Sequence, residues 1–304
     1  MILCVALNPA LDVTYTVPGV RWHAGNRVTS VAHRAGGKAT NVARVLHALG
    51  HEAVVTGFRA GDTGDLIARD LAAAGVAEAF LPLPGESRRT LAVVDTAAGD
   101  ATGFWEPGPP VPADRWAAFL GHYRGLLTDA AVAVLSGSVP PGLPADAYGI
   151  LVRAARDAGV PVIVDADGSA LAAATAAGPE IVKPNADELR AATGQDDVVA
   201  GAADLLARGA GAVVVSRGAD GLLAATPERR WTARPPARLA GNPTGAGDAC
   251  VAALAVGLAT AADWPAQLAM AAGLSASAVL RPLAGEVDLE AYPRLRDSVL
   301  VQEV

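Results

Sequence analysis

The sequence predicts an α/β fold with a mostly parallel central sheet, helices on both faces of that sheet, and a small separate β layer. Beyond Pro112, short apolar strands alternate with helical segments, which is typical of right-handed βαβ units in a parallel sheet. Residues 2–7 form a continuous apolar run, as expected of a strand that is buried on both faces. Residues 13–17, 27–32 and 91–106 instead alternate apolar and polar side chains, which indicates strands with one face in water.

Two helices are predicted before Pro112. The first follows Gly36-Gly37-Lys38, and its apolar side chains recur at helical spacing until Gly50, which fits the position just after a helix end. The second spans residues 63–73, where Asp62 is predicted to cap the amino end. Its inward-facing side chains are predicted to be Leu66, Ile67 and Leu71.

The remaining elements follow from the same periodicities. Residues 97–100 carry a hairpin signal inside the small β layer. Since no Pro- or Ser-rich linker divides the chain, we expect one α/β domain over residues 1–304, with the strands of the small layer inserted at about 13–34 and 88–106. The other predicted strands are 53–57, 131–135, 160–164, 181–183 and 212–215, and the other predicted helices are 114–127, 145–158, 186–192, 199–207 and 249–258.

The composition excludes several classes of protein. The 304 residues include 24 Lys and Arg against 31 Asp and Glu, a formal charge of −7, whereas a nucleic-acid binder needs a basic face. Hydrophobic residues make up 52%, which excludes disorder and allows a large core. The chain start lacks the basic segment of a signal peptide, and the uncharged stretch between Asp248 and Asp263 is too short to span a membrane. The two cysteines, Cys4 and Cys250, suit a reducing compartment, so we expect a cytoplasmic protein with no nucleic-acid or membrane partner.

Polar residues follow five predicted strands at the point where each strand ends. Ligands of open parallel sheets bind beyond the carboxyl ends of the strands, so these residues are expected to meet at one rim. Each of them alone would be unremarkable as a turn or a cap, and Asp165 and Asp167 are predicted to cap the turn after their strand. The residues concerned are Asn8 and Asp12, Ser136 and Ser138, Asp165, Lys183 and Asn185, and Ser216 and Gly218.

The motif Gly245-Ala246-Gly247-Asp248 stands at the start of the last predicted helix. Glycines ahead of a helix let backbone N–H groups close around an anion, and the helix dipole adds positive potential there. A carboxylate in the same turn is placed to accept a proton beside the bound anion, which is what phosphoryl transfer to a hydroxyl needs. The alternative is a plain helix start in which Asp248 only stabilises the dipole.

Cations for a phosphate-bearing ligand are predicted at two places. Gly36 and Gly37 allow close backbone approach to a ligand, and Lys38 adds a mobile positive charge, although a simple turn has the same pattern. Arg88 precedes a strand of the small β layer, where its guanidinium could fork onto a phosphate. The alternative for Arg88 and Arg89 is a solvated pair at a strand entry.

Three other glycine or serine motifs are excluded by single residues. A dinucleotide fingerprint would need glycine or alanine in place of Cys250. A P-loop would need glycine in place of Ala32 and serine or threonine in place of Ala39. Ser138 lacks the glycine two residues earlier that a nucleophile elbow requires.

Taken together and in chain order, these motifs resemble the pfkB carbohydrate kinases of the ribokinase-like fold, and among them the 1-phosphofructokinase and tagatose-6-phosphate kinase branch. The resemblance covers nearly the whole chain, and its carboxy-terminal signature is highly specific when it arrives with the others. The matching blocks are Asn8-Pro-Ala-Leu-Asp12, Gly36-Gly37-Lys38 with Asn41-Val-Ala-Arg44, Ser87-Arg88, Glu106-Pro-Gly108, Ser136-Gly-Ser-Val-Pro-Pro-Gly142, Lys183-Pro-Asn-Ala-Asp-Glu188, Ser216-Arg-Gly218 and Thr244-Gly-Ala-Gly-Asp248.

The resemblance implies a kinase that uses ATP and Mg²⁺ to phosphorylate a hydroxyl of a ketohexose monophosphate, of the fructose 1-phosphate or tagatose 6-phosphate type. It implies that Asp248 deprotonates the acceptor while N–H groups of Gly245, Ala246 and Gly247 neutralise the moving phosphoryl group. The implied sugar-binding residues are Asp12, Gly36, Gly37 and Asn41, and the implied ligands of the sugar's phosphate are Lys38, Arg88, Ser138 and Arg27. The implied nucleotide-binding residues are Lys183, Asn185, Ser216, Gly218 and Gly221, and Asn185 and Glu188 would organise Mg²⁺ through water.

The resemblance also implies that the small β layer is a lid over the sugar and a contact surface for a second copy of the chain, a homodimer. The chain departs from the family pattern at Ala39-Thr40, at Arg89-Thr90 and at Asn242-Pro243, which puts the substrate in doubt more than the reaction. Two alternatives therefore stand beside the phosphosugar kinase. One is a kinase of an unphosphorylated sugar, of ribokinase type, and the other is a catalytically silent sugar-phosphate sensor on the same fold.

Overall fold

The computed structural model describes residues 1–235 and 239–304, and these residues form one large sheet, one small sheet and the helices around them. The strands are β1 (Ile2–Ala6), β2 (Ala10–Val17), β3 (Ser30–Gly36), β4 (Ala53–Ala60), β5 (Ala77–Leu83), β6 (Arg88–Asp95), β7 (Asp100–Trp105), β8 (Val132–Ser136), β9 (Val162–Asp165), β10 (Ile181–Val182), β11 (Ala212–Ser216), β12 (Leu222–Ala225), β13 (Arg230–Arg234) and β14 (Leu300–Glu303). The helices are α1 (Lys38–Ala48), α2 (Gly61–Ala73), α3 (Ala113–Leu127), α4 (Ala147–Asp157), α5 (Gly168–Ala176), α6 (Ala186–Thr193), α7 (Val198–Ala207), α8 (Ala246–Ala259), α9 (Trp264–Val279) and α10 (Tyr292–Asp297).

The large sheet has the strand order β14-β13-β12-β11-β10-β9-β8-β1-β4-β5. From β11 to β5 the neighbouring strands run parallel, which confirms the mostly parallel sheet that the sequence predicts. The other edge, β12 to β14, is antiparallel and was not predicted. Strands β13 and β14 expose several side chains and carry no continuous apolar run, so their sequences give little strand signal.

Both faces of the large sheet are buried, and β1 shows why its sequence is continuously apolar. Ile2, Cys4 and Ala6 belong to the core that contains α1, α8 and α9. The alternate side chains, Leu3 and Val5, belong to the core that contains α3, α4 and α5. Successive strand residues point to opposite faces, so a central strand between two helical layers must be apolar at every position.

The small sheet has the order β3-β2-β6-β7, with β2 parallel to β6 and the other pairs antiparallel. Two excursions build it: β2 and β3 lie between β1 and α1, and β6 and β7 lie between β5 and α3. The register places Asp12 opposite Arg34 on one side and Thr90 on the other. Three strands thus bring polar side chains together on the small sheet, which we call the lid sheet.

Helix α2 begins differently from the prediction. It starts at Gly61, and the Glu86 carboxylate accepts hydrogen bonds from the backbone N–H groups of Asp62 (3.3 Å) and Thr63 (3.0 Å). The predicted cap by Asp62 is therefore wrong, because a carboxylate distant in sequence satisfies the free N–H groups of the first turn. Leu66, which was predicted to face inward, is 39% exposed.

Within the residues that the structure describes, none of the helices combines the length and the apolar composition that crossing a membrane requires.

Candidate active site

One large cavity of about 1410 Å³ lies between the lid sheet and the carboxyl ends of the parallel strands. A typical site for one small molecule encloses roughly 300–1,000 Å³, so this cavity has room for two ligands side by side. The predicted site residues that line it are Asp12, Gly37, Lys38, Asn41, Arg88, Ser138, Lys183, Asn185, Glu188, Ser216, Gly218, Gly221, Gly245, Ala246, Gly247 and Asp248. Of the polar residues that follow separate strands in the sequence, all but the buried Asn8 and Ser136 line this cavity and thus meet at one rim.

Two predicted residues do not line this cavity. Gly36 lies directly behind Asp12, where a Cβ would come within 1.9 Å of the Asp12 Oδ2 atom, so glycine is needed to admit that carboxylate. Arg27 is exposed in the connection between β2 and β3. The alternating pattern that predicted a strand from residue 27 forms one only from Ser30, so Arg27 does not line the cavity of a single chain, and its role as a ligand of the sugar's phosphate stays a prediction.

The Asp248 carboxylate lies in the first turn of α8 and is buried. Its Oδ2 atom accepts a hydrogen bond of 2.8 Å from the side-chain amide of Asn41 at the start of α1. Burial raises the pKa of Asp248 to about 7, and the nearby Asp165 carboxylate adds to the rise, while Asn41, Lys38 and Lys183 oppose it. A carboxylate with this pKa can exchange a proton near neutral pH, as a general base must.

Backbone N–H groups at the start of α8 complete this end of the cavity. Gly245 precedes the helix in a left-handed conformation, with φ at +88°. The Ala246 N–H donates to the Pro243 carbonyl at 3.2 Å, so the contribution of Ala246 to an anion site, which stays a prediction, would need this hydrogen bond to open. The N–H groups of Gly247 and Asp248 have no acceptor in the described part of the chain, so they remain available to an anion at the positive end of the helix.

Asp165, at the end of β9, was predicted to lie at the rim but only as a turn cap, and its role in the site was missed. It is 1% exposed, and its Oδ1 atom lies 3.0 Å from the Lys38 Nζ atom and 3.6 Å from the Lys183 Nζ atom. Burial alone would lower the pKa of each ammonium, but the Asp165 and Glu188 carboxylates raise it, so both lysines are cationic. The prediction that the Asp165 side chain caps a turn is wrong; its position directly after a buried strand was the available signal.

The lid sheet supplies the polar groups at the other end of the cavity. Asp12 accepts a hydrogen bond from the Thr90 hydroxyl across the β2–β6 pair. The Arg88 Nε atom donates to the Asn8 carbonyl at 2.9 Å, and the Asn8 amide donates to the Ser138 hydroxyl at 3.1 Å. Asn8 therefore fixes Arg88 and Ser138 relative to each other, although the sequence pointed to it only as a rim residue.

The start of α6 shows how a metal would be held. The Asn185 side chain accepts from the Glu188 N–H at 2.8 Å, and the Glu188 Oε2 atom accepts from the Asn185 N–H at 2.8 Å, which is a capping box. No group of three His, Cys, Asp or Glu residues in the described ranges could hold a metal ion by itself. This arrangement fits Mg²⁺, which keeps most of its waters and is usually held by one or two carboxylates together with substrate phosphates.

The cavity also fits a nucleotide. Ser216 lies beside Asn185 through a parallel bridge, and Gly218 and Gly221 line the same side. At Gly221, with φ at +81°, a Cβ would come within 2.0 Å of the Ala233 carbonyl, so only glycine lets this turn pack against β13. The apolar side chains of the lining on this side include Leu222, Ala276 and Val279. One cavity thus offers apolar side chains for the nucleobase of a nucleotide and cations for its phosphates.

Similarity to known proteins extends over the whole chain. A 1-phosphofructokinase from Rhodobacter capsulatus is 39% identical over 311 residues, which covers 100% of this chain and 96% of that protein. Phosphofructokinase-2 from Escherichia coli in complex with potassium has a TM-score of 0.92 at 30% identity, covering 97% of this chain and 98% of that chain. At the same identity and coverage, that E. coli protein in complex with fructose 6-phosphate has a TM-score of 0.89, and its tetrameric inhibited form has one of 0.90.

The parallel sheet, the lid sheet and the cavity between them define a kinase of small molecules with the ribokinase-like fold. The family model described as pfkB family carbohydrate kinase matches residues 4–291, and the chain belongs to this family. The predicted fold and family are thus confirmed. ATP and Mg²⁺ are the usual cofactors of such a kinase, and the chain is an ATP-dependent carbohydrate kinase.

Proposed function

We propose that this kinase transfers the terminal phosphoryl group of ATP to a hydroxyl of a ketohexose monophosphate, with fructose 1-phosphate as the first candidate. The observation that carries the proposal is the buried Asp248 carboxylate, which lies at the start of α8 in the same cavity as Arg88. The 39% identity to a 1-phosphofructokinase supports a fructose phosphate as substrate. Tagatose 6-phosphate remains the alternative within the same class.

The proposed base is Asp248. Its Oδ2 atom is occupied by the Asn41 amide, so Oδ1 is the oxygen left to take the proton from the sugar hydroxyl. With a pKa of about 7, Asp248 is ionised in a large fraction of molecules at neutral pH and still basic enough to accept that proton. Asn41 orients the carboxylate in this scheme and also offers its own amide to the sugar.

Charge on the transferred group is proposed to be balanced by this chain's amides and lysines. The Gly247 and Asp248 N–H groups are free to donate at the helix start, and Lys183 Nζ lies 3.6 Å from where a Gly247 Cβ would be. When bound, Mg²⁺ neutralises phosphate charge; we propose that Glu188 holds its water and that Asn185 keeps Glu188 in place. The residues proposed to contact the nucleotide are Lys183, Asn185, Ser216, Gly218 and Gly221.

The sugar phosphate is proposed to bind under the lid sheet. Arg88 is anchored through its Nε atom, which leaves the two terminal nitrogens to fork onto a phosphate. Lys38 lines the same cavity, but as part of the charge cluster with Asp165 and Glu188 and not as the mobile cation expected from the sequence. The groups proposed to contact the sugar hydroxyls and phosphate are Asp12, Gly37, Asn41, Arg88, Lys38 and Ser138.

An ADP-release assay with a panel of acceptors tests this function. The panel holds fructose 1-phosphate, tagatose 6-phosphate and fructose 6-phosphate, with fructose and ribose as unphosphorylated controls. We expect kcat/KM to be highest for one of the ketohexose phosphates and at least about 100-fold lower for the free sugars, because these lack the anion that Arg88 binds.

Two results would contradict the proposal. A higher kcat/KM for fructose or ribose would show that the enzyme is a kinase of unphosphorylated sugars, of ribokinase type, and not a phosphosugar kinase. Binding of a sugar phosphate without any release of ADP would instead indicate a silent sensor, although a sensor has no need of a base such as Asp248.

We further propose that the chain is a single kinase domain with an inserted lid, and that two copies associate through their lid sheets. Phe104 on β7 supports this contact because it is 51% exposed and does not line the active-site cavity. Sedimentation analysis should show a dimer whose dissociation constant rises when Phe104 is replaced by Ser. A monomer at all concentrations would exclude the contact.

Location in the cytoplasm stays a prediction from the sequence.

A further inference from the structure

The connection between α9 and α10 passes through the active site. We call its residues 280–286 the strap. Pro282, Leu283 and Ala284 of the strap line the cavity, although the sequence motifs did not include any of them. The Asn242 side-chain amide donates to the Pro282 carbonyl at 2.8 Å, which ties the strap to the turn that leads into α8.

The strap packs against both parts of the catalytic arrangement. A Cβ built on Gly245, the residue before α8, would lie 2.8 Å from the Ala284 Cα atom, so the two backbones are in close contact. A Cβ built on Gly285 would lie 3.0 Å from the Oδ1 atom of Asn41, whose amide holds Asp248. Movement of the strap would therefore disturb the base and the amides beside it together.

The far end of the strap is bound to the lid sheet. The Arg34 Nη1 atom on β3 lies 2.9 Å from the Glu286 Oε1 atom, and the two side chains are 18% and 29% exposed. This is the one hydrogen-bond partner of the Arg34 side chain in the described ranges, where its Nε atom is buried without a partner. Arg34 also lies opposite Asp12, so it belongs to the part of the lid sheet proposed to bind the sugar.

We propose that Arg34 and Glu286 are a positioning pair that couples sugar binding at the lid sheet to assembly of the phosphoryl-transfer site. An occupied lid sheet fixes Arg34, Arg34 holds Glu286, and Glu286 keeps the strap against Asn41 and Gly245. The inference rests on the proposed function, because it requires a sugar under the lid sheet and a nucleotide at α8. Coupling of this kind must be reciprocal, so each ligand strengthens binding of the other by the same factor.

The test measures this factor directly. Calorimetry gives the Kd of a non-hydrolysable ATP analogue with Mg²⁺, without and with a saturating concentration of the sugar that supports most ADP release in the panel. We expect the sugar to tighten analogue binding by about fivefold or more in the wild type, as in ordinary coupled sites. Glu286→Gln, Arg34→Met and the double variant should each reduce this ratio to about one, because all three break the Arg34–Glu286 pair. Glu286→Gln also removes the charge that lies 3.6 Å from the Arg281 Nε atom within the strap, so Arg34→Met isolates the link to the lid sheet.

Asp204→Asn is the matched control, since it removes an exposed ion pair with Arg208 on α7 and should keep the wild-type ratio. Thermal unfolding of every variant separates loss of coupling from loss of folding. A Glu286→Gln enzyme with the wild-type ratio, or a wild type with a ratio of one, would overturn the proposal. So would loss of sugar binding in Arg34→Met alone, because Arg34 would then be a direct ligand. If the proposed substrate is wrong, the ADP-release panel shows it. If only the role of the Arg34–Glu286 pair is wrong, the panel is unaffected and the ratio of the two Kd values shows it.

Discussion

The side-chain amide of Asn41 donates to the Asp248 carboxylate at 2.8 Å, although the two residues are 207 positions apart in the chain. Asn41 lies in the first turn of α1 and Asp248 in the first turn of α8, and these two helices pack against each other on the same face of the sheet. The starts of the two helices therefore meet at the rim. The proposed base, Asp248, belongs to the glycine motif at the start of α8, and a residue just after the glycine motif of α1 holds it in place.

Replacing Asp248 with Asn should lower kcat by at least about 100-fold while the nucleotide still binds. Asn has nearly the same shape and can still pair with Asn41, but it cannot accept a proton from the sugar hydroxyl. Stopped-time ADP assays give kcat, and calorimetry with the ATP analogue gives Kd. A variant with nearly normal kcat would show that another group, or water, removes the proton.

The reaction should lose activity in acid with a midpoint set by Asp248. Its pKa is raised to about 7, so below pH 7 the base becomes protonated and kcat/KM should fall about tenfold per pH unit. Asn41 lowers this pKa by its hydrogen bond, so Asn41→Leu should move the acid limb to higher pH. The phosphate of the substrate also titrates near pH 6, but it does so equally for the wild type and for Asn41→Leu. The displacement between their two pH profiles of kcat/KM therefore reports on Asp248. Superimposable profiles would contradict the assignment.

Much of this site could be predicted because it depends on where strands end. Buried parallel strands are recognisable as apolar runs, and the residues after them must share one edge of the sheet, so Ser138, Lys183 and Ser216 could be placed together without coordinates. The start of α8 could likewise be predicted, since glycines followed by an apolar run indicate a helix start.

The remaining contacts could not be predicted because they depend on tertiary packing. Asp165 is flanked by two lysines from different segments, and nothing in its neighbourhood along the chain shows that both reach it. Glu86 replaces Asp62 at the start of α2 for the same reason. A periodic pattern predicted a strand from Arg27, yet the strand begins three residues later and leaves the Arg27 side chain in solvent.

Arg88→Ala should raise the KM for the sugar phosphate by about 30- to 100-fold and leave the KM for ATP almost unchanged. The factor corresponds to the roughly 2–3 kcal/mol that a charge-assisted pair of hydrogen bonds contributes. Arg89→Ala is the matched control, because its side chain is 59% exposed and pairs with Glu106 at 3.1 Å. Steady-state kinetics that show equal effects of the two variants would remove Arg88 from the phosphate site.

Chelation of Mg²⁺ should abolish activity, and Glu188→Gln should raise the Mg²⁺ concentration for half-maximal rate by about 10- to 100-fold. Glutamine can still accept the Asn185 N–H in the capping box, so the start of α6 keeps its structure while the charge is lost. Activity should recover at high Mg²⁺. Asp187→Asn is the matched control. Asp187 precedes Glu188, but its side chain lies in solvent and pairs with Arg190, so this variant should have the Mg²⁺ dependence of the wild type. A Glu188→Gln enzyme with an unchanged Mg²⁺ requirement would show that Glu188 does not hold the metal's water.

Gly285→Ala should reduce kcat by about tenfold or more, whereas Gly159→Ala should not. Both glycines have a left-handed backbone, with φ at +75° and +72°, so an added methyl group costs each of them about 1–2 kcal/mol of backbone strain. The surroundings differ: at Gly285 the new Cβ would lie 3.0 Å from the Asn41 Oδ1 atom, and at Gly159 it would meet nothing within 4 Å. The Tm should therefore fall in both variants, and further in Gly285→Ala, where the Arg44 Cδ atom would also lie 3.1 Å away, while only Gly285→Ala displaces the residue that holds Asp248. If both variants remain folded and keep the same kcat, contact with the strap is not needed to position Asn41.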